Sequence, residues 1–270
     1  VSSLHGAGSG SVTAVAGISL TLDTGSCCAL LGHNGSGKST TLNILTGLFH
    51  PSAGRAEILG IDVEEDVSGV QRILGVCPQQ NILWEELTAR EHLQFFARLK
   101  GLVGDIDEEV NKILQQVSLE GAADHSAGSF SGGMKRRLCI GMAAIGSPKL
   151  LLLDEASAGL DPVAKVEVWK LIQSLRADRC VILCTHDLAE ALALADRTVI
   201  MAHGRLWAEG SPLELRKRWG HGYTLSVSVE PNPTTTSRFL ESLRRRLPES
   251  SVARVDAGSL VLSVPMRAVD

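Results

Sequence analysis

Nine consecutive residues, Gly32-His33-Asn34-Gly35-Ser36-Gly37-Lys38-Ser39-Thr40, constrain this chain more than any other stretch. They follow the apolar run CCALL at 27–31 and lead into Thr41-Leu42-Asn43-Ile44-Leu45, which reads as a helix. The pattern G-x-x-x-x-G-K-[ST] between a strand and a helix is that of a phosphate-cradling loop. Its glycines remove the Cβ atoms that would keep phosphate oxygens away from backbone N–H groups. The N-terminus of the following helix adds partial positive charge. Lys38 can reach the β- and γ-phosphates, and the Ser39 hydroxyl can ligate Mg²⁺. The loop therefore predicts a nucleotide site at the carboxyl end of a strand.

Strand and helix signals alternate along the rest of the chain. Residues 15–22 place Ile18, Leu20 and Leu22 on one face, as a half-buried strand would. The unbroken apolar run 27–31 suits a central parallel strand covered on both faces. The helix after the loop is predicted to stop at Gly47, with Pro51 just beyond it. Residues 56–59 and 73–76 are further strand candidates, and the second leads into Cys77-Pro78-Gln79-Gln80. Thr88-Ala89-Arg90-Glu91 has capping-box spacing, and Leu93, Phe96 and Ala97 continue an apolar face behind it. Val110, Ile113, Leu114 and Val117 fall at i, i+3, i+4, i+7. A helical insertion over about 87–145 is thus expected between strands.

After it come a strand at 150–153, a helix at 163–175, a strand at 181–184, a helix at 188–195 and a strand at 198–201. This alternation indicates a doubly wound, largely parallel sheet. Ser211-Pro212-Leu213-Glu214 opens one more helix, with an N-cap and Pro at the first helical position. From about residue 222 the pattern changes. Tyr223, Leu225, Val227 and Val229 alternate, Phe239, Leu240, Leu243 and Leu247 form a helical face, and 252–255 with 260–264 read as a hairpin. The expected organisation is an α/β domain over 1–221 and the start of a small α+β domain over 222–270.

Two further stretches carry chemistry. Leu150-Leu151-Leu152-Leu153-Asp154-Glu155 is a buried strand whose carboxyl end presents two acids, where open α/β sheets place their ligands. Asp154 is suited to hold Mg²⁺ and Glu155 to polarise an attacking water. Phe130-Ser131-Gly132-Gly133-Met134 opens a helix with a hydroxyl and two glycines, so the Ser131 side chain and the Gly133 N–H can bind an anion. Lys135-Arg136-Arg137 behind it reads as a solvated helix face.

With these three motifs in this order, the chain resembles the nucleotide-binding domain of ATP-binding cassette (ABC) transporters over about residues 12–220. The resemblance implies an α/β P-loop NTPase fold: a mostly parallel sheet, an antiparallel β subdomain, a helical insertion and a small α+β regulatory-type domain after it. It implies ATP and Mg²⁺ as ligands. Gln79 matches the family's Q-loop glutamine, with a catalytic and metal-binding role beside Ser39 and Asp154. Asp161, in Ala158-Gly159-Leu160-Asp161, matches the D-loop, and His186 matches the switch histidine that contacts the γ-phosphate. In the family two such domains sandwich two ATP molecules, so that Ser131, Gly132 and Gly133 of one face the Lys38 loop of the other. Transmembrane domains of a parent transporter are the other implied partner, which places the chain at the cytoplasmic face of a membrane. The strings Gly32-His33-Asn34-Gly35, Leu45-Thr46-Gly47-Leu48, Gly75-Val76-Cys77-Pro78-Gln79 and Ala97-Arg98-Leu99-Lys100-Gly101-Leu102 look like subfamily A, the eukaryotic lipid exporters.

The chain also departs from the family. Residues 4–11, where an aromatic residue usually stacks on adenine, hold no Tyr, Trp or Phe, and His5 is the only ring. Either weakened adenine selectivity or a contact supplied from elsewhere is expected, since such stacking contributes roughly 1–3 kcal/mol in single-stranded nucleic-acid sites. Ala156 stands for the usual proline and Phe130 for the usual leucine. Among alternatives, a soluble cassette ATPase acting on ribosomes or DNA fits poorly with a net charge of −4 and 4% aromatic residues, so no nucleic-acid partner is expected. A regulatory cassette with little hydrolysis fits poorly with intact Lys38, Asp154, Glu155 and His186. Six cysteines, mostly within apolar segments and without a C-x-x-C pair, read as reduced core residues. The chain starts at Val1 rather than Met, which reads as a segment of a longer protein.

Overall fold

Four of the five residues of each of two strands, Cys27–Leu31 and Leu150–Asp154, are buried, so helices must cover both faces of the sheet they share. The computed structural model describes residues 2–3, 12–177, 179–219, 223–228, 233–246, 250–256 and 259–264. The chain forms two compact units, Val1–Pro212 and Leu213–Asp270. The first begins with β1 (Ser2–Ser3), β2 (Val12–Thr13), β3 (Cys27–Leu31), α1 (Lys38–Leu45), β4 (Glu57–Ile58) and β5 (Ile61–Asp62). It continues with α2 (Val67–Ile73), β6 (Leu74–Cys77), α3 (Ala89–Leu99), α4 (Ile106–Gln116) and α5 (Gly132–Ala144). Then follow β7 (Leu150–Asp154), α6 (Pro162–Leu175), β8 (Cys180–Thr185), α7 (Leu188–Leu194), β9 (Arg197–Ala202) and β10 (Arg205–Gly210).

The main sheet has the order β10-β9-β3-β8-β7-β6, parallel except for the edge strand β10. Its two faces feed two cores. Leu151 and Leu153 of β7 pack with Leu93 of α3, Val110 of α4, Ile140 of α5 and Ile172 of α6. Leu150 and Leu152 pack on the other side with Leu42 of α1 and Val70 of α2. The period-two alternation of a strand thus divides four consecutive leucines between two layers. Each such burial contributes about 1.5–3 kcal/mol relative to exposure.

The helical insertion forms as its caps dictate. Thr88 Oγ1 accepts from the Glu91 N–H (3.1 Å), and Glu91 Oε2 accepts from the Thr88 N–H (2.8 Å), completing the capping box of α3. Asp105 caps α4, whose first turn carries Asp107, Glu108 and Glu109 against the positive end of the helix. Val110, Ile113 and Leu114 of α4 and the following Val117 are buried as their spacing predicts.

One local expectation is corrected, and two elements come in addition to those expected. Residues 15–22 form no strand: Gly17 takes a left-handed φ of 84° that interrupts extended backbone. Ile18, Leu20 and Leu22 nevertheless pack inward as a set. Helix α2 was not expected, because Ser68 and Gly69 are weak helix formers. It starts because Asp66 accepts from the Gly69 N–H at 2.7 Å. Strand β10 was not expected either. It folds back from β9 through His203-Gly204, both at positive φ, the backbone of a two-residue hairpin turn.

The second unit holds α8 (Pro212–Trp219) from Leu213 on, β11 (Tyr223–Ser228), α9 (Pro233–Arg246), β12 (Ser251–Asp256) and β13 (Ser259–Val264). Its antiparallel sheet runs β11-β13-β12, with Leu260 and Leu262 of the central strand buried. The expected strand residue Val229 and helix residue Leu247 lie outside the described residues. All six cysteines are free, and burial pushes the Cys27, Cys28 and Cys77 thiols up to about 12, so they are poor nucleophiles.

Candidate active site

Strand register brings the site together. Leu31 of β3 pairs with Thr185 of β8, and Asp154 of β7 pairs with Cys184, so three strands end at one level. Gly32, Glu155 and His186 are the next residues of each. This is the carboxyl edge at which an open parallel sheet receives ligands.

The loop between β3 and α1 is held by backbone alone where side chains would not fit. A Cβ on Gly32 would lie 2.5 Å from Ser36 Oγ and 2.6 Å from the Met201 carbonyl oxygen. Gly37, at φ 106°, starts α1 from the left-handed region and passes 2.8 Å from the Ala14 carbonyl oxygen, measured to the Cβ it lacks. The loop encloses a cavity of about 250 Å³ lined by Asn34, Gly35, Ser36, Gly37, Lys38, Ser39, Thr40, Gln79, Asp154 and Glu155. Gly32 and His33 stand behind this wall and give their carbonyl oxygens to Lys38 Nζ, at 2.6 and 3.3 Å.

Charge is concentrated at the base of the cavity. Lys38, 6% exposed, has its Nζ 3.8 Å from Glu155 Oε1. Ser39 Oγ–H donates to Asp154 Oδ2 at 2.9 Å. Burial raises the Asp154 carboxyl above the ordinary 3.8, with the Ser39 hydrogen bond pulling the other way. Glu155 is buried and sits at φ 51°, a left-handed turn fixed by its N–H donating to the Cys184 carbonyl at 2.9 Å. His186 Nδ1 is 2.8 Å from Glu155 Oε2. An ionised carboxylate only accepts, so this bond calls for the ring proton on Nδ1. Three buried oxygens, Ser36 Oγ, Asp154 Oδ1 and Glu155 Oε1, have no hydrogen-bond partner.

The remaining predicted residues lie off the cavity wall. Ser131 caps α5 by accepting from the Met134 N–H at 3.2 Å. A Cβ on Gly133 would come 2.9 Å from Ala164 Cβ, so this glycine lets α5 and α6 approach, whereas Gly132 faces open space with only Leu160 at 3.9 Å. Asp161 caps α6, accepting from the Val163 and Ala164 N–H groups at 3.0 Å each. Ser131, Gly132 and Asp161 are exposed. The ring expected to meet adenine would fall in residues 4–11, outside the described residues.

The basic run behind Ser131 is not the solvated face expected of it. Arg136 is 3% exposed. Its Nε–H donates to the Ala156 carbonyl (2.7 Å), Nη2 to the Asp154 carbonyl (2.8 Å), and Nη1 to the carbonyls of Pro78 (2.7 Å) and Gln79 (3.2 Å). Successive helix residues point about 100° apart, so three adjacent cations cannot share one face. Gly133, Arg136, Ile140 and Ala144 make a buried stripe at helical spacing, the signal from which its burial was readable. His92 is a second buried group not singled out. Its Nδ1–H donates to the Thr88 carbonyl and its Nε2 accepts from the Trp84 N–H.

Comparison with known proteins shows the family of the chain. The profile of the ABC transporter family matches residues 15–158. "ABC transporter A family member 6" of Arabidopsis thaliana is 44% identical over 221 residues, 81% of this chain and 24% of that protein. "Phospholipid-transporting ATPase ABCA3" of Rattus norvegicus is 43% identical over 226 residues, 83% of this chain and 13% of that protein. The chain thus spans a quarter or less of these two relatives. Among solved structures, a dimeric ATP-binding cassette in a post-hydrolysis state, bound to ADP and Pi, superposes with a TM-score of 0.69 at 25% identity. That alignment covers 77% of this chain and 94% of the cassette.

Proposed function

Because this chain belongs to the ABC transporter family, and most resembles its A subfamily, we propose that it hydrolyses ATP to drive a lipid across a membrane. The observation that carries this reading is the convergence on one cavity of Lys38, Ser39, Gln79, Asp154 and Glu155, with His186 bonded to Glu155. Glu155 is the general base. The buried carboxylate takes a proton from the water that attacks the γ-phosphate, and its strained turn aims it into the cavity. The His186 N–H holds one carboxylate oxygen, leaving Oε1 for the water. Lys38 exchanges its loop carbonyls for phosphate oxygens, and the loop N–H groups cradle the rest. The hydroxyl, carboxylate and amide oxygens of Ser39, Asp154 and Gln79 are the hard donors that suit Mg²⁺, and the partnerless Asp154 Oδ1 leaves a lone pair for it. Bound there, Mg²⁺ would offset charge on the β- and γ-phosphates.

Ser131, Gly132, Gly133 and Asp161 lie off this cavity, which supports their serving the nucleotide of a second nucleotide-binding domain in an ATP-closed pair. Closure is then favoured by ATP's differential contacts with the closed state. An apolar hollow of about 240 Å³ lined by Trp84, Glu86, Leu87 and Phe95, a few residues after Gln79, supports docking of the parent transporter's transmembrane domains. No helix among the described residues is long and apolar enough to cross a membrane. In this reading the chain works at the cytoplasmic face, with residues 222–270 as a regulatory-type domain. The test is Glu155→Gln in the whole protein. ATP binding is expected to persist while ATP hydrolysis falls about 10²–10⁴-fold and movement of labelled phospholipid between vesicle leaflets stops. Hydrolysis at the wild-type rate would remove Glu155 as the base.

A further inference from the structure

We infer that Arg136 is a positioning residue that couples the Ser131 end of α5 to the catalytic turn and to the Gln79 loop. This rests on the reading of the cavity as an ATP-hydrolysing half-site. The guanidinium has five N–H donors in a rigid fork. They are spread over two segments far apart in sequence: the turn from Asp154 to Ala156, and the loop at Pro78 and Gln79, with Asn81 Oδ1 also at 3.4 Å. Its two bonds to the Asp154 and Ala156 carbonyls fall on either side of Glu155 in sequence. They grip the left-handed turn at 155 from both sides. The third branch holds the backbone that presents Gln79 to the same cavity.

The acceptors are neutral carbonyls and an amide rather than carboxylates. The bonds therefore fix geometry without cancelling the charge of Asp154 or Glu155, and a buried cation is left behind them. Arg136 lies on the same helix as Ser131, a little more than one turn further on. A partner's nucleotide that engages the exposed N-terminus of α5 moves Arg136 with the helix. Glu155 and Gln79 follow. A buried arginine with a merely architectural role would lower stability or nucleotide binding when replaced, and would show no link to Gln79.

The experiment compares Arg136→Gln, Arg136→Lys, Gln79→Ala and the double variant Arg136→Gln/Gln79→Ala in the whole protein, with MgATP as substrate. Glutamine, with two donors on one nitrogen, cannot bridge the two segments. Its kcat is expected to fall about tenfold to a hundredfold, with KM for ATP within about threefold of wild type, the pattern of an interaction that matters in the transition state. The double variant is expected to lose less than the product of the single losses, because both act through one loop. Lysine, with three donors, is expected to restore part of kcat. A wild-type kcat for Arg136→Gln, a loss confined to KM, or multiplicative losses in the double variant would overturn the inference. If the glutamine variant shows no cooperative unfolding transition, the lysine variant decides. A reduced kcat at unchanged KM sustains the coupling, and a wild-type kcat ends it. Glu155→Gln run alongside separates the two readings, since wild-type hydrolysis there would fault the site itself rather than the role of Arg136.

Discussion

The two glycines after Ser131 have opposite environments, so the same substitution should produce opposite stability effects at adjacent positions. An alanine methyl at 133 would stand 2.9 Å from Ala164 Cβ. That is about 0.6–1.1 Å short of the 3.5–4.0 Å optimum for carbon atoms. Neither partner can rotate away, because both Cβ atoms are fixed to helix backbone. The α5–α6 spacing must open instead, an overpacking that costs about 1–3 kcal/mol. For a domain of this size, that corresponds to a fall in Tm of about 2–12 °C. At Gly132 the new methyl meets only Leu160 at 3.9 Å, an ordinary contact, and the residue is the first of α5. Alanine there reduces the freedom of the unfolded chain and should stabilise by about 0.4–1 kcal/mol. Thermal unfolding without nucleotide separates the two. Gly132→Ala should match or exceed the wild-type Tm, yet ATP-dependent association, read by light scattering, should weaken because the methyl covers the exposed helix start. A Tm loss in Gly132→Ala as large as that in Gly133→Ala would refute the assignment of packing to one glycine and access to the other.

Three other expectations follow from the same geometry. Burial raises the Asp154 carboxyl, so the folded chain keeps that proton at pH values where the unfolded chain has released it. Its contribution to stability is therefore present below pH 3.8 and is lost as pH rises through the folded-state value. Denaturant unfolding from pH 3 to 7 should accordingly fall less steeply with pH in Asp154→Asn than in wild type, and added MgATP should stabilise only the wild type. Thr88→Ala removes both the capping hydroxyl of α3 and its contact with Glu91. It should cost about 0.5–2 kcal/mol, read as a lower denaturation midpoint with unchanged m-value. With no aromatic residue in 4–11, ATP and GTP should bind with similar affinity, and a strong ATP preference in competition binding would count against that expectation.

What the sequence disclosed follows from where its signals were local. The loop at 32–40, the four leucines of β7, the Thr88–Glu91 box and the stripe on α4 each carry their instructions within one or two turns, and each forms as read. Helix α2 and strand β10 were harder, since α2 has only seven residues and carries the weak helix formers Ser68 and Gly69 in its first turn. Strand β10 is an edge strand of alternating exposure whose pairing depends on the turn at His203-Gly204. Residues 15–22 show that period two fixes side-chain direction without securing a pairing partner. The site residues were legible as types, and their convergence was expected only from the family resemblance, because the β3–β8–β7 register that produces it is not a local signal. Arg136 was hidden for a related reason. Charge in a run suggests water and masks the stripe of Gly133, Arg136, Ile140 and Ala144 that marks this arginine as inward-facing, while the carbonyls it meets there are set by tertiary packing.

The resting position of Lys38 bears on which anions the loop admits. Its ammonium already has two carbonyl partners and a nearby carboxylate, so an arriving phosphate replaces bonds rather than capturing an unsatisfied cation. The free-energy gain at this lysine is a difference between two occupied states. A small oxyanion that meets only the lysine has little to offer in that exchange. A polyphosphate long enough to reach along the loop N–H groups gains further contacts for the two carbonyl bonds it displaces. In the proposed ATPase cycle the loop would thereby favour longer phosphate chains, and inorganic phosphate left over from turnover should compete weakly with the next nucleotide.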